Sequence, residues 1–412
     1  MKKLAICIPN YGKRELLLRL LNQTISQVRD SKYIDEVEIC VSDDASPDDI
    51  TEDVNAIISA NPDLSIKYQR LVKNKGRWGN IKEVVAMSDT EYCWVIGNDD
   101  IYAGQNAIRD VVAILFKDSP SILTFPTILY NGSKYEQYSQ LPPQTGNCVL
   151  DLSDREDFSR WYASTDNWLS FFSDSMLVAF QKELWDKYVG GIKLEDNGFG
   201  FWIVLSTIAL SGSPIHYVEQ FYIVRNFTDD ADNWDDRDFS FVYLRDCFFM
   251  WKRLRQINKE AARVFDNCTA YWYLERYHLL MESDESTASQ KQLIRENATD
   301  LFKLITRLYL PDNKLAELKQ RKVFLFGTGE AGMKVKSKLD SHGIKIINFI
   351  DNNESKQGEY IDGIETISLQ EALNISDGVY IISAIANGAI DSIHKQLMMS
   401  NVAEENIALV NW

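Results

Sequence analysis

Apolar and polar positions alternate in two rhythms over the first hundred residues. Residues 4–8 form a short apolar run, and residues 15–28 place Leu16, Leu17, Leu20, Leu21, Thr24, Ile25 and Val28 at the spacing of one helical face. Residues 37–42 predict a second strand and 48–59 a second helix. Residues 64–71 alternate as a third strand, 80–87 return to the helical rhythm, and 92–96 predict a fourth strand. Strands alternating with helices imply a mostly parallel sheet covered on both faces. Ligands of such sheets sit beyond the carboxyl ends of the strands.

The pattern then changes. Strand-like pieces at 122–129, 176–180 and 217–224 are separated by aromatic-rich loops, and residues 239–319 turn helical and aromatic. Pro311 and the charged stretch 315–322 mark a junction. Beyond it, the strand Lys322–Phe326 runs into Gly327-Thr328-Gly329-Glu330-Ala331-Gly332, a helix, and a strand over 345–350 ending at Asp351. The expected organisation is an α/β domain over 1–235, a helical linker region over 236–320 and a small α/β domain over 321–412.

Charge narrows the function classes. A net charge of −16 over 412 residues argues against a nucleic-acid binder that relies on a general basic field. It leaves room for an anionic substrate met by a metal ion or a local helix terminus. The six cysteines (Cys7, Cys40, Cys93, Cys148, Cys247, Cys268) form no CxxC pair, which argues against a disulfide framework or a zinc site and fits a reducing cytoplasm. The apolar stretch after Met1-Lys2-Lys3 is too short for a signal peptide and is stopped by Pro9. No apolar run reaches the ~18–20 residues of a membrane span. The expected protein is soluble or peripheral.

Two acid pairs fall where a ligand belongs. Asp43-Asp44 follows the strand at 37–42 and is followed by Ala45-Ser46. Carboxylates at a strand end can accept from a nucleobase N–H or ribose hydroxyls. Read alone, Ser46-Pro47-Asp48-Asp49 favours an ordinary helix start. The second strand-end device is Gly97-Asn98-Asp99-Asp100. Adjacent carboxylates repel, so a nearby cation favours keeping both ionised. Mg²⁺ and Mn²⁺ take such oxygen ligands together with substrate phosphates.

In order, Ile8-Pro9-Asn10-Tyr11, Val41-Ser42-Asp43-Asp44-Ala45-Ser46, Asn74-Lys75-Gly76 and Gly97-Asn98-Asp99-Asp100 resemble the signature of family 2 glycosyltransferases with the GT-A fold. The Asn74-x-Gly76-x-x-x-Asn80 spacing resembles their abequosyltransferase-like branch, which serves O-antigen and capsule assembly. The resemblance covers about residues 1–230. It implies that Pro9, Asn10 and Tyr11 line a nucleotide pocket, with Asn74, Gly76 and Asn80 contributing. It implies that Asp43 or Asp44 holds the base or ribose. Asp100 would be the principal ligand of a divalent metal (Mn or Mg), with Asp99 beside the sugar or ribose and as a further ligand. Asn98 stands where the family's motif has an acid, so the site carries one less charge. Inversion at the anomeric carbon is implied too, with Asp196, and Glu195 second, as the base.

Gly327-x-Gly329-x-x-Gly332, with Asp351 closing the next strand, has the context of a nucleotide-binding fingerprint. This unit resembles the small Rossmann-like domain of certain sugar acetyltransferases and sugar methyltransferases. Ligand binding and structural packing are both open there, and the unit lacks the second half of a dehydrogenase domain. Residues 245–255, which mix Phe248, Phe249 and Trp251 with Lys252, Arg253 and Arg255, suit either an anionic membrane surface or a helix packed on the catalytic domain. The expected partners are a nucleotide-sugar donor, a saccharide or lipid-linked acceptor, and a second copy of the chain. The alternative function is a nucleotide-sugar-binding regulator or scaffold working through the C-terminal unit.

Overall fold

The computed structural model describes residues 1–130, 132–138, 146–154, 175–192, 198–226, 246, 256, 287–292, 310, 312–375, 378–383 and 387–410. The chain divides into two compact units, Met1–Val264 and Phe265–Trp412. Glu195 and Asp196 lie outside the described residues, as do 155–174, 229–230 and all of 245–255 except Asp246.

The first unit opens as its apolar rhythm predicts. Strands β1 (Lys2–Asn10), β2 (Val37–Asp43), β3 (Ser65–Arg70) and β4 (Thr90–Val95) lie parallel. They alternate with helices α1 (Arg14–Asp30), α2 (Thr51–Ala60) and α3 (Gly76–Ala86). α1 forms because Leu17, Leu20, Leu21, Thr24, Ile25 and Val28 share one buried face. β1, between β2 and β4, is fully covered from Leu4 to Ile8. The register Asn10↔Asp43↔Arg70 carries three polar side chains to one end of the sheet.

A short strand β5 (Ile101–Tyr102) leads into α4 (Ala107–Asp118), β6 (Ile122–Thr124), β7 (Thr127–Tyr130), β8 (Tyr135–Tyr138) and β9 (Cys148–Leu150). Then come β10 (Val178–Gln181), α5 (Lys182–Val189), α6 (Gly200–Ala209), β11 (Ile215–Tyr217) and β12 (Ile223–Asn226). The main sheet has eight strands in the order β3-β2-β1-β4-β10-β6-β11-β9, with β10 antiparallel to both its neighbours. A second sheet runs β5-β12-β7-β8.

Two runs expected as single strands are split between these sheets. Residues 122–129 break at Phe125-Pro126, because proline has no N–H to give the ladder, and β6 and β7 go to different sheets. Residues 217–224 divide in the same way into β11 and β12 around Val218–Tyr222, numbers 218–222 carrying no strand pairing. α6 is apolar on every side, and all ten of its residues are buried. It crosses α3 at Trp78, where a Cβ on Gly200 would come within 2.2 Å of the indole ring.

The second unit holds β13 (Lys322–Phe326), α7 (Glu330–Ser341), β14 (Ile346–Ile350), β15 (Tyr360–Ile361), β16 (Ile364–Ile367), α8 (Leu369–Asn374), β17 (Gly378–Ile382), α9 (Asn387–Met399) and β18 (Ile407–Leu409). The order is β15-β16-β14-β13-β17-β18, and all pairs are parallel except the β15–β16 hairpin. That hairpin turns on Asp362-Gly363, both with positive φ, as a two-residue turn requires. Each sheet face carries its own apolar cluster. Val335 and Leu339 of α7 pack on one, and Ala372 of α8 and Leu397 of α9 on the other. No described helix is long and apolar enough to cross a membrane.

Candidate functional site

Four expected site residues meet beyond the ends of β1, β2 and β4. Asn10 is the hub. Its Nδ2 donates to Asp43 Oδ1 at 2.9 Å and to Ser46 Oγ at 3.2 Å, while its Oδ1 accepts from Asn98 Nδ2 at 2.6 Å. The two acid-bearing loops are thereby tied through one amide. Asp43 is fully buried and also accepts from Ser46 Oγ and, at 2.7 Å, from Arg70 Nη1. Arg70 Nη2 donates to the Ser46 carbonyl at 2.7 Å.

Asp44 turns the other way. Its N–H donates to the Asn10 carbonyl at 2.8 Å, and its Oδ1 accepts from the Lys75 N–H at 2.6 Å. Burial raises the Asp44 carboxyl above the ordinary carboxylate range, although the N–H groups of Lys75 and Gly76 pull it down. Asn74 closes the same loop by accepting from Gly76 N at 2.8 Å. Asn80 does not face this loop. Its Nδ2 donates to the carbonyls of Asn10 and Ser42, each at 3.1 Å, and so clips the ends of β1 and β2 together. Its Oδ1 is buried without a partner. Pro9 is half-buried, and Tyr11 is 52 % exposed at the mouth of the cluster.

The second acid pair sits on a tight turn. Asp100 is buried, its N–H donates to the Gly97 carbonyl at 3.1 Å, and its Oδ2 accepts from the Gly97 N–H at 3.0 Å. A Cβ at Gly97 would lie 2.9 Å from Asp100 Oδ2 and 3.0 Å from Asp99 Oδ1, so both carboxylates approach this residue closely and a side chain here would push them aside. Lys13 Nζ meets Asp99 Oδ2 at 3.1 Å, and Arg19 donates to the Asp99 carbonyl at 3.2 Å. Among the described residues no group of three or more His, Cys, Asp or Glu gathers for a metal ion. Two converging carboxylates nevertheless fit a Mg²⁺- or Mn²⁺-type ion, which takes one or two protein carboxylates and fills its shell with phosphate and water.

Ser46, Arg70, Lys13 and Arg19 were not legible as site residues. Ser46 looked like a helix cap, but α2 starts only at Thr51, and Ser46 instead accepts from Gly12 N at 2.8 Å and joins the Asn10–Asp43 cluster. Arg70, the last residue of β3, is marked only by its strand-end position level with Asp43. Next to the expected base loop, Phe199 N donates to buried Asp246 at 2.6 Å, so an acid from the aromatic region holds the start of α6.

In the second unit the glycine loop is built as its spacing predicts. A Cβ on Gly332 would strike the Gly327 carbonyl oxygen at 2.3 Å, so α7 packs directly on the loop. Gly329 faces open space. Asp351 Oδ2 accepts from Thr328 Oγ1 and from Lys356 Nζ at 3.1 Å. Burial pushes this carboxyl up, but the bonds from Thr328, the Asn353 N–H and Lys356 outweigh it and hold the group below the ordinary range.

Comparison with known proteins agrees with this geometry. The model of glycosyl transferase family 2 matches residues 5–179, and a second model, C2185-like N-terminal, matches residues 319–408. The chain is 31 % identical over 253 residues to the abequosyltransferase RfbV of Salmonella typhimurium, covering 55 % of this chain and 68 % of that protein. It is 24 % identical over 125 residues to a dolichyl-phosphate beta-glucosyltransferase of Dictyostelium discoideum, covering 29 % of this chain and 38 % of that protein. The fold is similar to S. aureus TarS 1-349, with a TM-score of 0.52 at 13 % identity over 74 % of this chain and 81 % of that one. The same protein in complex with UDP-GlcNAc gives 0.51 at 15 % identity, over 74 % and 82 %. Strand-end acids joined through Asn10, a GT-A fold and a close relative matched over two thirds of its length make this chain a member of glycosyl transferase family 2 and a glycosyltransferase.

Proposed function

We propose that the chain moves a sugar from a nucleotide-sugar donor to a saccharide or lipid-linked saccharide acceptor in O-antigen or capsule assembly. The observation that carries this reading is the convergence of the two acid loops on Asn10. The abequosyltransferase relative supports the pathway class. Exposed Tyr11 offers a flat face to the nucleobase, and Pro9, Asn10 and the Asn74–Gly76 turn wall the nucleoside. Asp43 or Asp44 holds the base or ribose, and Asp43 also fixes the loop through Arg70.

Asp100 and Asp99 would hold a divalent ion, which when bound offsets the charge of the departing diphosphate. Lys13, just before α1, and Arg19 of α1 position the Asp99 turn. Asp196, with Glu195 second, takes the proton from the acceptor hydroxyl, whose oxygen then attacks the anomeric carbon opposite the leaving group, inverting it. These two acids immediately precede the segment that Asp246 anchors.

The working division is a catalytic domain over 1–235, a helical region over 236–320 and a Rossmann-like domain over 321–412. Gly327, Gly329, Gly332 and Asp351 of the last would take a nucleotide, which the open space at Gly329 supports. A lipid-linked acceptor would bring the enzyme to the inner face of a membrane. The experiment is a panel of sugar nucleotides with Mn²⁺, followed as release of nucleoside diphosphate with and without saccharide acceptors. Release from at least one donor is expected, and none from any donor would remove the reading.

A further inference from the structure

The second sheet of the first unit carries an aromatic pair at its edge. β7 and β8 form a hairpin in which Tyr130 and Tyr135 stand directly opposite each other, next to the turn. Their rings stack, with centroids 4.7 Å apart and planes 25° from parallel. Tyr130 is held in place by its hydroxyl, which donates to the Gly132 carbonyl at 2.9 Å. Tyr135 is 71 % exposed, so one ring face lies on Tyr130 while the ring stays largely open to solvent. A cross-strand pair of this kind stabilises a hairpin. Its place in the sheet gives it a further use.

Register brings the pair to the end of the sheet where the second acid turn sits. Ile101, the residue after Asp100, lies level with Val224, and Val224 with Ile128. Further along the same strands, Asn226 lies level with Tyr130. β5 runs antiparallel to β12, so Asp100 leads out of β5 towards that same end. Alternate residues of a strand share a face. The tyrosines therefore stand on the face of Ile101, Val224 and Ile128, all half-buried. The opposite face buries Tyr102, Ile223 and Thr127. β7 and β8 are the second and third strands from β5. At about 4.8 Å per strand, the rings stand roughly 10–15 Å from the Asp100 end of β5, within the length of a short oligosaccharide.

The surroundings select the ligand. Among the described residues of the hairpin, Gly132, Ser133, Lys134 and Glu136 are exposed along with Tyr135. One lysine and one glutamate offset each other, which disfavours a phosphate-rich ligand. A polar tip with a carboxylate beside one open ring disfavours a lipid surface, which needs a broader apolar face. A pyranose ring meets both conditions. The C–H groups of its face, polarised by neighbouring oxygens, rest on the electron-rich face of a tyrosine. Its hydroxyls stay in water, so the stack needs no buried polar partner. Resting on the transferase reading above, we propose that Tyr130 and Tyr135 form an acceptor subsite. It stacks a sugar ring of the acceptor chain away from the residue that receives the new sugar, which makes the acceptor an oligosaccharide and not a single sugar.

The test uses the full chain, without donor, in saturation-transfer NMR with maltotetraose, cellotetraose, mannotetraose and chitotetraose, one at a time. At least one binds, with the C–H protons of one ring face saturated most, in the wild type and in Asp100→Asn. Tyr135→Thr removes the ring but keeps a strand former, and affinity falls about tenfold while the melting temperature holds. Tyr135→Phe keeps the ring and binds as the wild type does. Silence from all the tetrasaccharides overturns the proposal, as does a signal unchanged in Tyr135→Thr. A signal lost in Tyr135→Phe assigns binding to the hydroxyl and overturns the stacking. One lost in Asp100→Asn moves the sugar to the acid turn and overturns the subsite. Sedimentation with phosphatidylglycerol vesicles that Tyr135→Thr abolishes would make the hairpin a membrane contact instead. Nucleoside diphosphate release from the donor panel separates the two readings. Silence here with release intact removes this subsite alone, whereas binding here with no release from any donor removes the transferase reading and the acceptor role with it.

Discussion

Lys13 Nζ lies 3.1 Å from Asp99 Oδ2, and the side chains are 18 % and 21 % exposed. An ammonium therefore stands where a divalent ion would draw on the same carboxylate. Replacing it by Lys13→Met leaves the carboxylate undiluted for a metal. For a part-exposed pair the gain is about 1 kcal/mol, or about fivefold tighter Mn²⁺. Titration of free Mn²⁺ by electron paramagnetic resonance measures it, and unchanged or weaker binding would count against a metal at Asp99.

Asp43 has no exposed surface, and Arg70 is its charged partner at 2.7 Å. Arg70→Met leaves a buried carboxylate short of its countercharge and removes the bond to the Ser46 carbonyl. Because Arg70 keeps some solvent contact, a loss of about 2–4 kcal/mol is expected. A urea titration reads it, and a midpoint equal to wild type would show that Asn10 and Ser46 suffice for Asp43.

Asp44 makes a prediction about pH. Its carboxyl is raised, chiefly by burial, so the folded protein holds this proton more tightly than the unfolded chain does. Stability from this group is thus fullest in acid and falls as pH rises from the ordinary carboxylate range through the raised value. Asp44→Asn removes the neutral-pH penalty while its amide oxygen can still accept from Lys75 N. The variant should melt higher than wild type at pH 7, with the gain shrinking towards acid. A gain that grows in acid instead would reverse the sign assigned to Asp44.

Gly200 touches the Trp78 ring, and Trp78 is wholly buried on the helix that carries Gly76 and Asn80. Gly200→Ala drives a methyl into that ring and should cost about 1–3 kcal/mol by overpacking. Calorimetry reports it, and a neutral result would mean that α3 and α6 can move apart freely.

The parallel strands of the first unit and both acid pairs were legible because strand period and strand ends are local signals. Gly97 could be read as a turn, but the close approach of the Asp99 and Asp100 carboxylates to it needs coordinates. The contacts that organise the site were not legible. Arg70 meets Asp43 across 27 positions and Lys13 meets Asp99 across 86, and no local pattern encodes such pairs. Asn80 was read at the nucleotide pocket from its motif spacing, and that its amide also clips β1 to β2 could not be seen from the sequence. The sheet change at Pro126 was visible only in retrospect, since a proline inside an apolar run also suits an edge strand.

The account rests most heavily on Asp100. Asp100→Asn keeps shape and can still accept from Gly97 N, so the fold should hold. Nucleoside diphosphate release from a productive sugar nucleotide, with Mn²⁺ and acceptor present, should fall by about 10²–10³ relative to wild type, with an unchanged circular dichroism spectrum. Turnover equal to wild type by the folded variant would contradict the site.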